Sequence, residues 1–148
     1  MIRRERMFEP MLAANPSFRA AWDVFLEEWA SEHELPQYLL LADLAQDLIT
    51  KLDRGETEAF PVIFAVVERW HVEGDDYVRE ASTIGLLEDL QNLNLHERTK
   101  PEQFIPWLEP VSRRYWAKIE AFWNDGVLIR HDDEIIPFAQ RSRKGVLE

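Results

Sequence analysis

The chain has 148 residues, a formal net charge of −11, 46% apolar residues and 11% aromatics, among them 6 Trp and 8 Phe. This is the length of one domain, with too much apolar content for a disordered chain and enough to build a core without a staple. The lack of cysteine excludes disulfides, thiol nucleophiles and cysteine-ligated zinc, and the charge disfavours nucleic acid and anionic membranes as partners.

Leu, Ala and Glu outweigh the β-branched residues, so helices are expected. The first is expected from about Arg4 to Ala14, started late or kinked by Pro10. Asn15-Pro16 is a start signal, with Asn15 as cap and Pro16 in the first helical position. Phe18, Trp22, Phe25, Leu26 and Trp29 then mark one face of a second helix that should end near Glu32–Glu34. Leu35-Pro36 opens a third, buried through Tyr38, Leu41, Leu44, Ala45, Leu48, Ile49 and Leu52, with a favourable Asp47–Lys51 pair and a closing Gly55. The fourth begins around Thr57–Ala59, carries Pro61 in its first turn and is apolar nearly all round, which predicts a central position. It stops at Gly74.

Asp75 or Asp76 caps the fifth helix, whose apolar side holds Val78, Ala81, Ile84, Gly85, Leu87 (or Leu86) and Leu90. Gly85 weakens that helix and is expected where another helix passes close by. After a polar turn from Asn92 to Lys100, Thr99 and Pro101 start a short helix to Leu108, and Glu109-Pro110 starts the last, which runs to Asn124. Asp125-Gly126 is a turn. Val127-Leu128-Ile129 and Ile135-Ile136 suit either a small hairpin or an irregular tail, and a basic stretch closes the chain. The expectation is one all-α domain over 1–148 of about six or seven helices in antiparallel pairs, with 125–148 as a peripheral tail. Neither an apolar leader nor a membrane-length run is present, so a cytoplasmic location is expected.

Gly74-Asp75-Asp76-Tyr77-Val78-Arg79-Glu80-Ala81 resembles the second helix of a HEAT-type repeat, where an acidic residue precedes a Val-Arg pair and a small residue. That resemblance implies HEAT-like pairing in a right-handed helical array, although the motif does not recur along the chain. Asn15-Pro16-Ser17-Phe18 with Trp22, Phe60-Pro61-Val62-Ile63-Phe64, and Val78-Arg79-Glu80-Ala81 running into Gly85-Leu86-Leu87-Glu88-Asp89-Leu90 together resemble a group of small acidic uncharacterised bacterial helical proteins. This second resemblance spans about Pro10 to Trp123. It implies an immunity or accessory partner of a bacterial toxin and carries no catalytic residues.

Two clusters offer chemistry. His71, Glu73, Asp75 and Asp76 are metal-ligand types, but the spacing matches no metal template, and His71 also suits a helix C-terminus. Glu88-Asp89 could share a proton or hold a cation, against structural pairing with an arginine such as Arg69. A metal or hydrolytic site therefore requires His71, Glu88 and Asp89 to converge. No nucleophile elbow, phosphate loop or dinucleotide fingerprint occurs, and no cofactor is expected. Asp23, Glu27, Glu28, Glu32 and Glu34 have no basic residue between them. With Trp29 as an aromatic edge, and with Asp132 and Asp133 in the tail, they form a candidate face for a basic partner. Trp123 is a second candidate for an exposed anchor. The sequence thus favours a protein-binding module, with an immunity- or antitoxin-like role as the specific form. A small metal-binding or hydrolytic enzyme and a homo-oligomeric structural protein are the alternatives.

Overall fold

The computed structural model describes residues 1–126 and 129. They form α1 (Phe8–Ala14), α2 (Arg19–Glu28), α3 (Gln37–Arg54), α4 (Phe60–Glu73), α5 (Asp76–Glu80), α6 (Glu88–Leu90) and α7 (Pro110–Asp125). A π-helical segment, Ala81–Leu87, joins α5 to α6 without a break. Short 3-10 turns occupy Arg4–Arg6, Pro16–Phe18, Leu93–Leu95 and Pro101–Trp107. The one extended pairing among the described residues is a single parallel bridge between Ile2 and Gly74. The fold is all-α, as the periodicity predicts, and no described helix is long and apolar enough to cross a membrane.

α4 is central because it is apolar on most of its circumference. It buries Phe60, Ile63, Phe64, Val66, Val67, Trp70 and His71, and α1, α5, the π segment and α7 all pack against it. Phe60 and Phe64 meet Phe104 of the 3-10 turn at 6.0 and 5.9 Å between centroids. The Trp70 indole donates to Met7 O at 2.9 Å, so the largest buried ring of α4 has its one polar atom satisfied. The main core runs from Met7 to Ile119 and takes in Ile129, while Ile84 packs apart from it against Tyr38 and Phe122.

α4 and α5 are joined through Gly74 and Asp75 alone, and the Asp75 carboxylate accepts from Val78 N at 3.0 Å. Gly74 is needed for space rather than for dihedral freedom. A Cβ there would lie 2.3 Å from Trp70 O and 2.6 Å from Val78 Cγ1. Trp70 and Val78 flank the turn, and His71 meets Ser82 and Thr83 further along. This back-folded pairing is that of antiparallel neighbours. Gly85 faces α3, where a Cβ would lie 2.8 Å from Leu41 Cδ1, so the expected close helix approach is present.

Several local expectations are corrected. α2 ends at Glu28, one turn before Glu32–Glu34. Glu27, Glu28, Glu32 and Glu34 would have crowded the negative end of the helix dipole, and Trp29 leaves the helix at ψ 21°. Asn15 is not a cap. Its side chain, 1% exposed, crosses to Asp47 of α3 at 2.9 Å and takes the Ser17 hydroxyl, while Lys51 reaches both Ser17 and Asp47. Pro10 falls in the first turn of α1, where no backbone N–H is required of it. Thr99 does not cap the segment after it. It bonds His96 Nδ1 at 2.7 Å, and the Lys100 N–H is taken by Gln103 Oε1. Pro101–Trp107 is 3-10 rather than α, which accommodates Pro106. The hairpin or irregular tail expected beyond Asp125 lies, except for buried Ile129, outside the described residues.

Candidate functional site

α2 presents two chemically distinct sides. Phe25 is buried, and Trp22, Leu26 and Trp29 pack against the core. The opposite side carries Asp23, Val24, Glu27 and Glu28, and Glu32 follows in the connection to α3, all of them exposed. Among the described residues none of these four carboxylates forms an ion pair. Their nearest paired neighbour is Glu34, 3.8 Å from Arg4. Across the gap, burial raises the Asp43 carboxyl on α3 above its ordinary value, and the negative charge of Glu28 adds to it. Glu28 and Asp43 thus place like charges opposite each other across the gap between the two helices. Val24 and Leu39 expose apolar surface on the same two helices, at 63% and 52%.

Trp29 was expected as an exposed aromatic edge for this face. It is instead partly buried and packed on the core, because the chain turns at its position and folds the indole inward. Trp123, half-exposed at the end of α7, is the freely presented tryptophan. Asp132 and Asp133 lie outside the described residues.

His71, Glu88 and Asp89 do not converge, and no group of three or more His, Asp or Glu side chains suited to a metal ion occurs among the described residues. His71 is buried at the α4–π–α7 junction. Its Nδ1 lies 3.0 Å from Val67 O and 3.2 Å from Ser112 Oγ, its Nε2 lies 3.1 Å from Thr83 Oγ1, and Tyr115 stacks on the ring at 5.2 Å. Ser112 Oγ donates to Glu68 Oε1 at 2.8 Å. Serine, histidine and glutamate meet here in an order unlike that of a hydrolase triad, since Glu68 accepts from the Ser112 hydroxyl instead of orienting His71, and Ser112, Ser82 and Thr83 are fully buried, so a substrate carbonyl has no approach. Their work is structural. Glu68 also accepts from the N–H groups of Val111 and Ser112 at 3.0 and 2.9 Å, so a carboxylate from α4 caps the N-terminus of α7. Sequence reading missed Glu68 and the three hydroxyls because they come together only through tertiary packing.

Asp89 on α6 is half-buried, and burial alone pushes its carboxyl up to about 6. Arg69, considered as a partner for it, pairs with Glu73 at 3.3 Å on its own helix. His96, in the turn between Asn92 and Lys100, is half-buried and ties that turn to Leu90 O at 2.8 Å.

The chain belongs to the family described as a domain of unknown function, DUF7674, whose profile matches residues 8–124. No curated protein and no solved structure matches it.

Proposed function

We propose that this chain is a protein-binding module that holds a basic partner through the acidic surface of α2 and the start of α3, in an immunity- or antitoxin-like role. The observation that carries the reading is the set of exposed carboxylates Asp23, Glu27, Glu28 and Glu32, which form no ion pair among the described residues, with Glu28 also raising the Asp43 carboxyl across the helix gap. Like charges held together on a rigid scaffold repel one another, and a cationic surface relieves that repulsion. The exposed Val24 and Leu39 give the face apolar contact area, which lengthens residence, while the charge speeds encounter. The back-folded α4–α5 pair around Val78-Arg79-Glu80-Ala81, with Arg79 bonded to Asp76 at 2.9 Å, fits a HEAT-like scaffold that displays neighbouring helices to a partner.

The test is co-purification of the full chain with the product of the gene beside its own, at about 50 mM and about 500 mM salt. The expected result is a complex at low salt that dissociates at high salt. A Glu27→Lys/Glu28→Lys variant with unchanged helicity should lose the complex at both. Failure to associate removes the immunity role. A complex indifferent to salt and to charge reversal removes the acidic face.

A further inference from the structure

The end of α7 and the loop after α6 enclose a groove of about 500 Å³. Trp123 is 52% exposed and Leu93 72% exposed, and both line it. Among the described residues its charged lining is Glu102 and Glu120, with no Lys, Arg or His. The groove near the N-terminus is mixed, with Arg3, Arg6 and Arg69 beside Glu5 and Glu9.

The groove is held in shape from below. The Trp116 indole donates to Glu120 Oε2 at 3.2 Å, and Gln91 Nε2 donates to Trp116 O at 2.9 Å. Phe122 meets the Trp123 ring at 5.7 Å in an edge-on arrangement. Asn92 accepts from Asn94 N at 3.0 Å and fixes the turn that carries Leu93. A large aromatic and a leucine left in water beside the carboxylates of Glu102 and Glu120, the latter held by Trp116, offer apolar anchorage and negative charge together.

We propose that this groove seats a short segment of a protein partner in which an apolar side chain sits beside a Lys or Arg. The apolar chain packs on Leu93, and the cation lies over the Trp123 ring between the carboxylates. The proposal rests on the reading that the chain binds a basic protein, and places a second contact away from α2.

The test uses the full chain and a capped pentapeptide that alternates arginine and leucine, with glutamine replacing arginine in a control peptide. Binding is followed by the indole N–H resonance of Trp123, assigned as the one missing in Trp123→Phe. The arginine peptide should shift that resonance, and the glutamine peptide should not. Measured by isothermal titration calorimetry, Trp123→Ala should weaken binding of the arginine peptide about tenfold and Glu102→Gln about threefold. Glu27→Lys/Glu28→Lys should leave this peptide's shift unchanged, so loss of the α2 reading and loss of the groove reading are separable. Equal response to both peptides, or an unmoved Trp123 resonance, overturns the proposal. So does preferential response to maltotriose, which would make the groove a saccharide site. A shift that tracks protein concentration assigns it to a second copy. A groove that answers the peptide only after Arg141, Arg143 and Lys144 are changed to glutamate assigns it to the chain's own terminus. Either result also overturns the proposal.

Discussion

Replacing Asp89 with asparagine isolates the cost of one half-buried carboxylate. Burial raises the folded-state value from 3.8 to about 6, with no compensating cation. Between those two values the folded chain binds more protons at this site than the unfolded chain does. Stability from Asp89 is therefore greatest below about pH 4 and declines as pH rises through about 6. At about 1.4 kcal/mol per pH unit, the full rise corresponds to about 3 kcal/mol against the ionised form, and partial solvent access reduces this to roughly 1–2 kcal/mol. Asp89→Asn keeps the shape and removes the charge. It should be more stable than the parent by roughly 1–2 kcal/mol at pH 7.5 and equal to it near pH 4. Urea unfolding of both proteins from pH 4 to 8, followed by far-UV circular dichroism, measures the gap at each pH. A gap that stays constant across this range, or an asparagine variant less stable at pH 7.5, would refute the assignment of the rise to burial.

Glu68→Gln should destabilise the chain by about 1–2 kcal/mol and Glu68→Ala by about 2–3 kcal/mol in the same assay, because the carboxylate satisfies two backbone N–H groups and a hydroxyl at the start of α7. Gly74→Ala should cost more than 2 kcal/mol by collision with Trp70 O, which is backbone and cannot rotate away. Gly55→Ala should cost only about 1 kcal/mol, since φ is +72° but the space is open; equal losses at the two glycines would contradict the steric account. Glu28→Gln should lower the Asp43 titration midpoint by carboxyl NMR yet leave it above the ordinary value, because burial is the larger cause.

Much of the fold was legible because the local signals agree with the packing. Gly55 closes α3 in the left-handed conformation, Asp75 caps α5, Pro61 sits in the first turn of α4, and Gly126 ends α7 at φ +71°. These are short-range effects that residue type and spacing carry directly. The misreadings have a common cause. Asn15 looked like a cap but is held by Asp47, and Trp29 looked exposed but turns inward. In each case a partner distant in sequence outweighs a local preference, and one sequence offers no record of that partner. The acidic face of α2 was visible because exposure of carboxylates is the default. The Trp123 groove was half visible, since the indole was singled out but its neighbours Leu93 and Glu102 come from another part of the chain.

The π segment shows where helical periodicity itself misleads. On a regular α-helix Leu86 and Leu87 compete for one buried stripe with Ile84 and Leu90, and the sequence left that choice open. In the structure all four are buried because neighbours press on the segment from several sides: Leu86, Leu87 and Leu90 join the main core, while Ile84 packs apart from it against Tyr38 and Phe122. Ala81, Ser82, Thr83 and Gly85 supply small side chains where α3 and α4 press from different sides. Ser82 and Thr83 then meet His71, and Gly85 admits Leu41. The unassigned stripe is therefore the mark of a segment buried on every side, where a period of 3.6 residues has no solvent face to register.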